Sequence, residues 1–180
     1  MIFQMAKTQK MVVVKTDNIE CKPINIELGK YQDSDCGMVI ESLQFASQVC
    51  DKTGKTWFFH DHGGMARWLQ DKDFKKDAKI WVWAKDSKKW VEAKSAFFSR
   101  NDLTPMNYGF GAYEQKKDGF VDFDKVGELM LAGENLNNPH TAKELGMKSF
   151  GKYQPFIYSC DCIFGFFSPL HWAVSPSCYR

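Results

Sequence analysis

Cys36-Gly37-Met38 sets a thiol and a thioether two residues apart. Soft sulfur donors of this kind select copper(I) over the harder divalent ions, which prefer nitrogen and oxygen. If the backbone is extended there, the two side chains fall on one side, and the glycine adds nothing to obstruct a metal. Thr104-Pro105-Met106 supplies another thioether at a loop position, with the proline fixing the approach of the chain. Cys36, Met38 and Met106 would together complete a trigonal sulfur site. His60-Asp61-His62, followed by Met65, offers two imidazoles at i and i+2, a pair suited to copper or zinc. Asp61 can orient one ring or cap the helix that follows. Packing roles stay open beside these: methionines filling gaps in a core, Cys36 as a small buried hydrophobe, and histidines held by ordinary hydrogen bonds.

Cys160-x-Cys162, His171 and Cys178 make a zinc set by ligand type, but their spacing matches no common zinc-finger pattern. The chain has no phosphate-binding glycine loop, no Gly-x-Ser-x-Gly elbow and no His-Glu-x-x-His, so no enzyme motif stands behind it. Two competing readings come from other classes. In one, Cys36 is the nucleophile of a thiol-dependent redox or organometal-handling enzyme, with His60 or His62 as its base. In the other, Trp57, Trp81, Trp83 and Trp90 form a non-metal interaction surface, although they alternate on predicted strands as core residues do.

The elements that must position these residues begin with residues 1–32, an arm without sustained period and with one short strand near Met11 to Val14. Phe45 to Val49 and Thr56 to His60 read as a hairpin around the turn residues 51–55. Met65, Trp68 and Leu69 at helical spacing predict a helix within 63–73, and Ile80 to Ala84 a buried strand. A second pass follows, with strands at 91–98, 108–113 and 120–123 and a helix at 125–131. The expected fold is α+β: two packed strand-strand-helix-strand modules, 33–88 and 89–134, with small antiparallel or mixed sheets. Residues 135–180 are assigned no element and form a C-terminal tail.

Composition supports a globular domain, with 44% hydrophobic and 26% charged residues. A net charge of +2 from 24 basic and 22 acidic residues gives no basic footprint for nucleic acid. The longest apolar stretch, Ile163 to Val174, is interrupted by Ser168, Pro169 and His171, so no membrane span is expected. Met11 to Val14 is too short for the apolar region of an export signal, and Cys21 after Glu20 is a poor setting for lipid attachment. The six cysteines are irregularly spaced in a chain large enough to fold without staples; pairing among the five other than Cys36 stays open.

In order and spacing, several runs resemble the NosL family of nitrous oxide reductase accessory proteins. They are Asp35 to Met38, Phe45 to Val49, Gly54 to Asp61, Met65 to Leu69, Trp90 to Ala93, Ala96-Phe97, Thr104 to Met106 and Gly109 to Tyr113. The resemblance covers about residues 33–131. It implies a periplasmic, often lipid-anchored copper chaperone of denitrification, which delivers copper(I) for assembly of the copper-sulfide centre of nitrous oxide reductase. The family's Cys-x-Met copper site falls on Cys36 and Met38, and Met106 matches its Pro-Met element as a third ligand. His60, His62 and Met65 are further candidate ligands. The implied partner is the copper-accepting protein, the reductase itself or its maturation machinery.

Overall fold

Strand-forming runs separated by tight turns build a five-stranded antiparallel sheet in the computed structural model, which describes residues 10–147. The strands are β1 (Val14–Lys15), β2 (Ser47–Cys50), β3 (Thr56–Phe59), β4 (Lys79–Ala84) and β5 (Lys89–Glu92), in the spatial order β1-β3-β2-β4-β5. A separate pair joins β6 (Phe97–Phe98) to β7 (Ala112–Tyr113), and the helices are α1 (His62–Leu69), α2 (Phe123–Ala132) and α3 (Pro139–Glu144). The architecture is therefore α+β with small antiparallel sheets.

The expected hairpin forms because Asp51 organises its turn: one carboxylate oxygen accepts the Thr53 and Lys55 N–H groups at 2.8 and 3.1 Å. Gly54 there takes φ +82°, a conformation open to glycine, and an added Cβ would lie 2.8 Å from the Asn18 and Ile19 backbone. Central strand β2 is buried along its whole length, so both faces of the sheet must be covered. One face meets α1 and α2 through Val49, Phe59, Leu69, Val82, Phe98 and Val126, all fully buried. Each such aliphatic or aromatic side chain contributes about 1.5–3 kcal/mol.

The other face is covered by the arm, which is tied more firmly than its irregular sequence predicts. Ile26, Tyr31 and Ile40 pack with Ala46 and Phe58 in a second cluster. Buried Gln48 grips the Ile24 peptide with both ends of its amide, at 2.8 Å each. The Trp81 indole donates to the Cys21 carbonyl at 2.8 Å, and a disulfide links Cys21 to Cys50. These contacts fall at no regular period, and so leave no mark of an element in the sequence.

The second half departs from the expected order. The predicted strand 91–98 is broken by a 3₁₀ turn at Ala93–Ser95, which leaves β5 on the large sheet and sends β6 to pair with β7. Helix α2 begins at Phe123 because Asp122 caps it, accepting the Lys125 N–H at 2.8 Å, and this reduces the expected strand at 120–123 to a single bridge between Val121 and Phe98. No strand follows α2 among the described residues. Instead α3, capped by Asn138, buries Thr141 and Ala142, with Leu136 buried just ahead of the cap, in a stretch read from sequence as the start of the tail. No described helix is long and apolar enough to cross a membrane.

Candidate metal centre

The Cys36 motif is a closed turn, not the extended segment its spacing invites. Asp33 N–H donates to the Met38 carbonyl at 2.7 Å and Gly37 N–H to the Asp33 carbonyl at 3.0 Å, while the Gln32 amide reaches the Gly37 carbonyl. Gly37 has φ +76°, so the glycine is needed for its left-handed backbone rather than for space between two sulfurs. Cys36 borders a small cleft, whereas Met38, beyond the turn, is 50% exposed and does not line it.

Asp33 organises the near wall. One carboxylate oxygen accepts the Asp35 and Cys36 N–H groups at 2.8 and 3.0 Å; the other accepts the His60 backbone N–H at 2.8 Å and lies 2.6 Å from His60 Nδ1. Burial pushes this carboxyl up, but the His60 ring and the three N–H donors outweigh it and hold the group below the usual carboxylate range. Beyond the end of β3, His60 is 6% exposed, and its Nε2 has no hydrogen-bond partner among the described residues. Cys36 Sγ lies 3.7 Å from Nδ1. The potential donor atoms of Asp33, Cys36 and His60 all lie within 4.8 Å of one another.

The far wall is made by α1 and the 104–108 loop. Asp61 caps α1, accepting Gly63 N–H at 2.9 Å, and its second oxygen accepts Met106 N–H at 2.9 Å. Burial pushes this carboxyl up, against the opposing effect of hydrogen bonds from Thr104, Met106 and Gly63. An added Cβ at Gly63 would stand 2.6 Å from Tyr108 Cβ, so the glycine lets the loop press against the helix start. Arg67 then bridges the rim, donating to Asp35 at 2.9 Å and to the Tyr108 hydroxyl at 3.1 Å. Cys36, His60 and Met106 thus line one cleft, with Asp33, Asp35, Asp61, Gly64, Arg67 and Tyr108.

The remaining candidates lie elsewhere. Met65 is fully buried in the main core. His62 is also fully buried, with Nδ1 2.8 Å from the Ser47 hydroxyl and edge-on contacts to Phe45 and Phe98. Neither lines the cleft, because α1 begins at His62 and turns both residues inward. Asp61 serves the helix cap, and the carboxylate that holds His60 is Asp33. Position alone could not name Asp33, 27 residues from its partner; its one sequence signal is its place in an acidic turn beside Cys36. Cys160, Cys162, His171 and Cys178 lie outside the described residues. The tryptophans proposed as a surface are half-buried: Trp57 stacks on Phe74, and Trp83 meets Trp90 edge-on.

The geometry separates two chemistries. A nucleophilic thiol needs a base that takes its proton and a stabilised thiolate. Here the same nitrogen, Nδ1, faces both Cys36 and Asp33, unlike a relay in which base and orienting carboxylate use opposite ring nitrogens. Partial desolvation, with Asp33 and Asp35 nearby, also pushes the Cys36 thiol up, against the Met38 N–H. A metal ion removes this obstacle by supplying the positive charge. Metal–sulfur and metal–nitrogen bonds of roughly 2.3 and 2.0 Å place two donors of one ion about 3.5–3.8 Å apart. The observed 3.7 Å between Cys36 Sγ and His60 Nδ1 matches that spacing, but Asp33 occupies Nδ1, so an ion on this nitrogen has to replace the Nδ1–Asp33 contact; Nε2 is the ring nitrogen left without a partner among the described residues.

Comparison with protein-family models gives no match for this chain, and comparison with curated proteins gives none either.

Proposed function

We propose that the protein is a copper(I) metallochaperone whose cargo is held by Cys36, Met106 and His60. The observation that carries the reading is the exposed Cys36 sulfur, 3.7 Å from the ring of a buried histidine, on a cleft that Met106 also lines. Thiolate and thioether are the donors that favour copper(I), and imidazole suits it as well. Burial and the Asp33 hydrogen bonds fix the histidine, while the cysteine is exposed on a surface turn. Such a pairing lets an acceptor's ligand approach copper from the cysteine side while the ring still holds it.

By the resemblance to the NosL family, the acceptor is nitrous oxide reductase or its maturation machinery, and the compartment is the periplasm. The Cys21–Cys50 disulfide supports an oxidising compartment. Met38, a ligand by that resemblance, is left out of the resting set because it does not line the cleft.

The test is an anaerobic competition titration of copper(I) against a chromogenic chelator. The wild type should bind one ion tightly and release a proton from Cys36. Cys36→Ser and Met106→Leu should weaken binding. A Cys36→Ser protein with full copper(I) affinity would end this reading.

A further inference from the structure

Met106 lies in a loop that has no regular secondary structure to hold it, yet its peptide is fixed at both ends. Its N–H donates to Asp61 at 2.9 Å, and its carbonyl accepts the Asn137 side-chain amide at 3.0 Å. The Asn107 amide returns the second contact, reaching Asn137 Oδ1 at 3.2 Å. Asp61 is fully buried, sits between His60 and α1, and also receives the Thr104 hydroxyl. It therefore ties the loop to the end of the strand that presents His60. Asn137 comes from the segment after α2, which also meets the loop through Leu136, whose N–H donates to the Tyr108 carbonyl at 3.4 Å.

We propose that Asp61 and Asn137 are positioning residues for the ligand Met106, holding its peptide so that the side chain stays on the wall opposite Cys36. The assignment rests on the copper(I) reading. A helix cap alone needs one carboxylate oxygen, and Gly63 occupies one. The second oxygen is committed to Met106 across a separation of 45 residues. Replacing Asp61 by asparagine keeps an acceptor for the cap but turns an NH₂ group toward the Met106 N–H, so two donors face each other.

The test is a double-mutant cycle on copper(I) affinity, joined to a metal-free measurement. Asp61→Asn should lower affinity about 10–100-fold, the range for residues that orient a ligand. Met106→Leu should do the same, and the double variant should bind no more weakly than Met106→Leu alone. Asn137→Ala, at an exposed position that leaves the core untouched, should give a smaller loss that also vanishes in the Met106→Leu background. A further loss from Asp61→Asn on top of Met106→Leu would mark a general structural role and overturn the proposal, as would unchanged affinity in Asp61→Asn. In the metal-free protein, the Met106 methyl carbon resonance should move and sharpen toward a freely rotating value in Asp61→Asn and in Asn137→Ala; an unmoved resonance also overturns it. A wild type that binds no copper(I) would instead sink the chaperone reading, while the methyl resonance still tests the positioning.

Discussion

His60 and His62 stand two residues apart, both are buried, and each has an Nε2 without a partner among the described residues. Only their surroundings differ. His60 follows β3 and meets a carboxylate and a thiol at a cleft; His62 opens α1 and is sealed between Ser47, Phe45 and Phe98. A motif that reads as a chelating pair is thus divided by a change from strand to helix that falls between its two rings. Ligand type alone does not make a site; the groups that the rest of the chain brings alongside do.

The largest expected effect lies on the His60 side. Cys36→Ser should cost more than the roughly hundredfold upper range for losing a mere supporting partner, with little change in melting temperature because the residue is exposed. Copper(I) competition and calorimetry on the same sample check both halves.

On the His62 side the expected effect is on stability. Burial, partly offset by Asp102 and reinforced by Lys85, pushes this ring down to about 3 from its ordinary 6.5. The unfolded chain therefore takes up a proton that the folded chain refuses. The stabilising contribution is fully present above pH 6.5 and is lost progressively as pH falls toward 3, at up to about 1.4 kcal/mol per pH unit. Urea unfolding of metal-free protein from pH 7 to 5, as an order-of-magnitude range for the assay, should show that slope, and His62→Gln should flatten it. A slope that survives in the variant would mean that His62 is not sealed.

Asp33→Asn should weaken copper(I) binding by about 10–100-fold if the ion sits on His60 Nε2 while Asp33 orients the ring through Nδ1–H; unchanged or tighter binding would place the ion on Nδ1, where Asp33 competes for the same nitrogen. The same change should leave the pH dependence of His62 untouched, which makes it a direct probe of how separate the two histidines are. Met38→Leu should have the smallest effect, below about threefold, or roughly 0.6 kcal/mol. A loss as large as that of Cys36→Ser would return Met38 to the ligand set.

Much of the fold is legible in the sequence because it obeys short periods: the alternation of Ile80, Val82 and Ala84, the turn residues 51–55, the helical spacing of Met65, Trp68 and Leu69. The arm and the segment at 135–147 are not, because Ile26, Tyr31, Ile40 and Leu136 are buried singly rather than as a repeating face. In the candidate site, Cys36, His60 and Met106 stand out by chemical type. Asp33 and Asn137 do not, since their roles arise from hydrogen bonds across 27 and 31 residues. By sequence Gly37 reads as a small spacer between two sulfurs, but what the turn uses is its left-handed backbone.

The distance along the chain between Cys36 and Met106 sets a schedule for the newborn protein. At about 5–20 residues per second of synthesis, the methionine leaves the ribosome roughly 4–14 seconds after the cysteine. During that interval Cys36 is a lone thiol between Cys21 and Cys50, the two that are joined in the finished fold. Docking of the 104–108 loop must follow, so a nascent fragment that ends before Met106 has no complete cleft. The cleft therefore exists only once all of residues 33–108 are present, and a wrong disulfide from Cys36 to Cys21 or Cys50 would remove its thiol before the walls could meet.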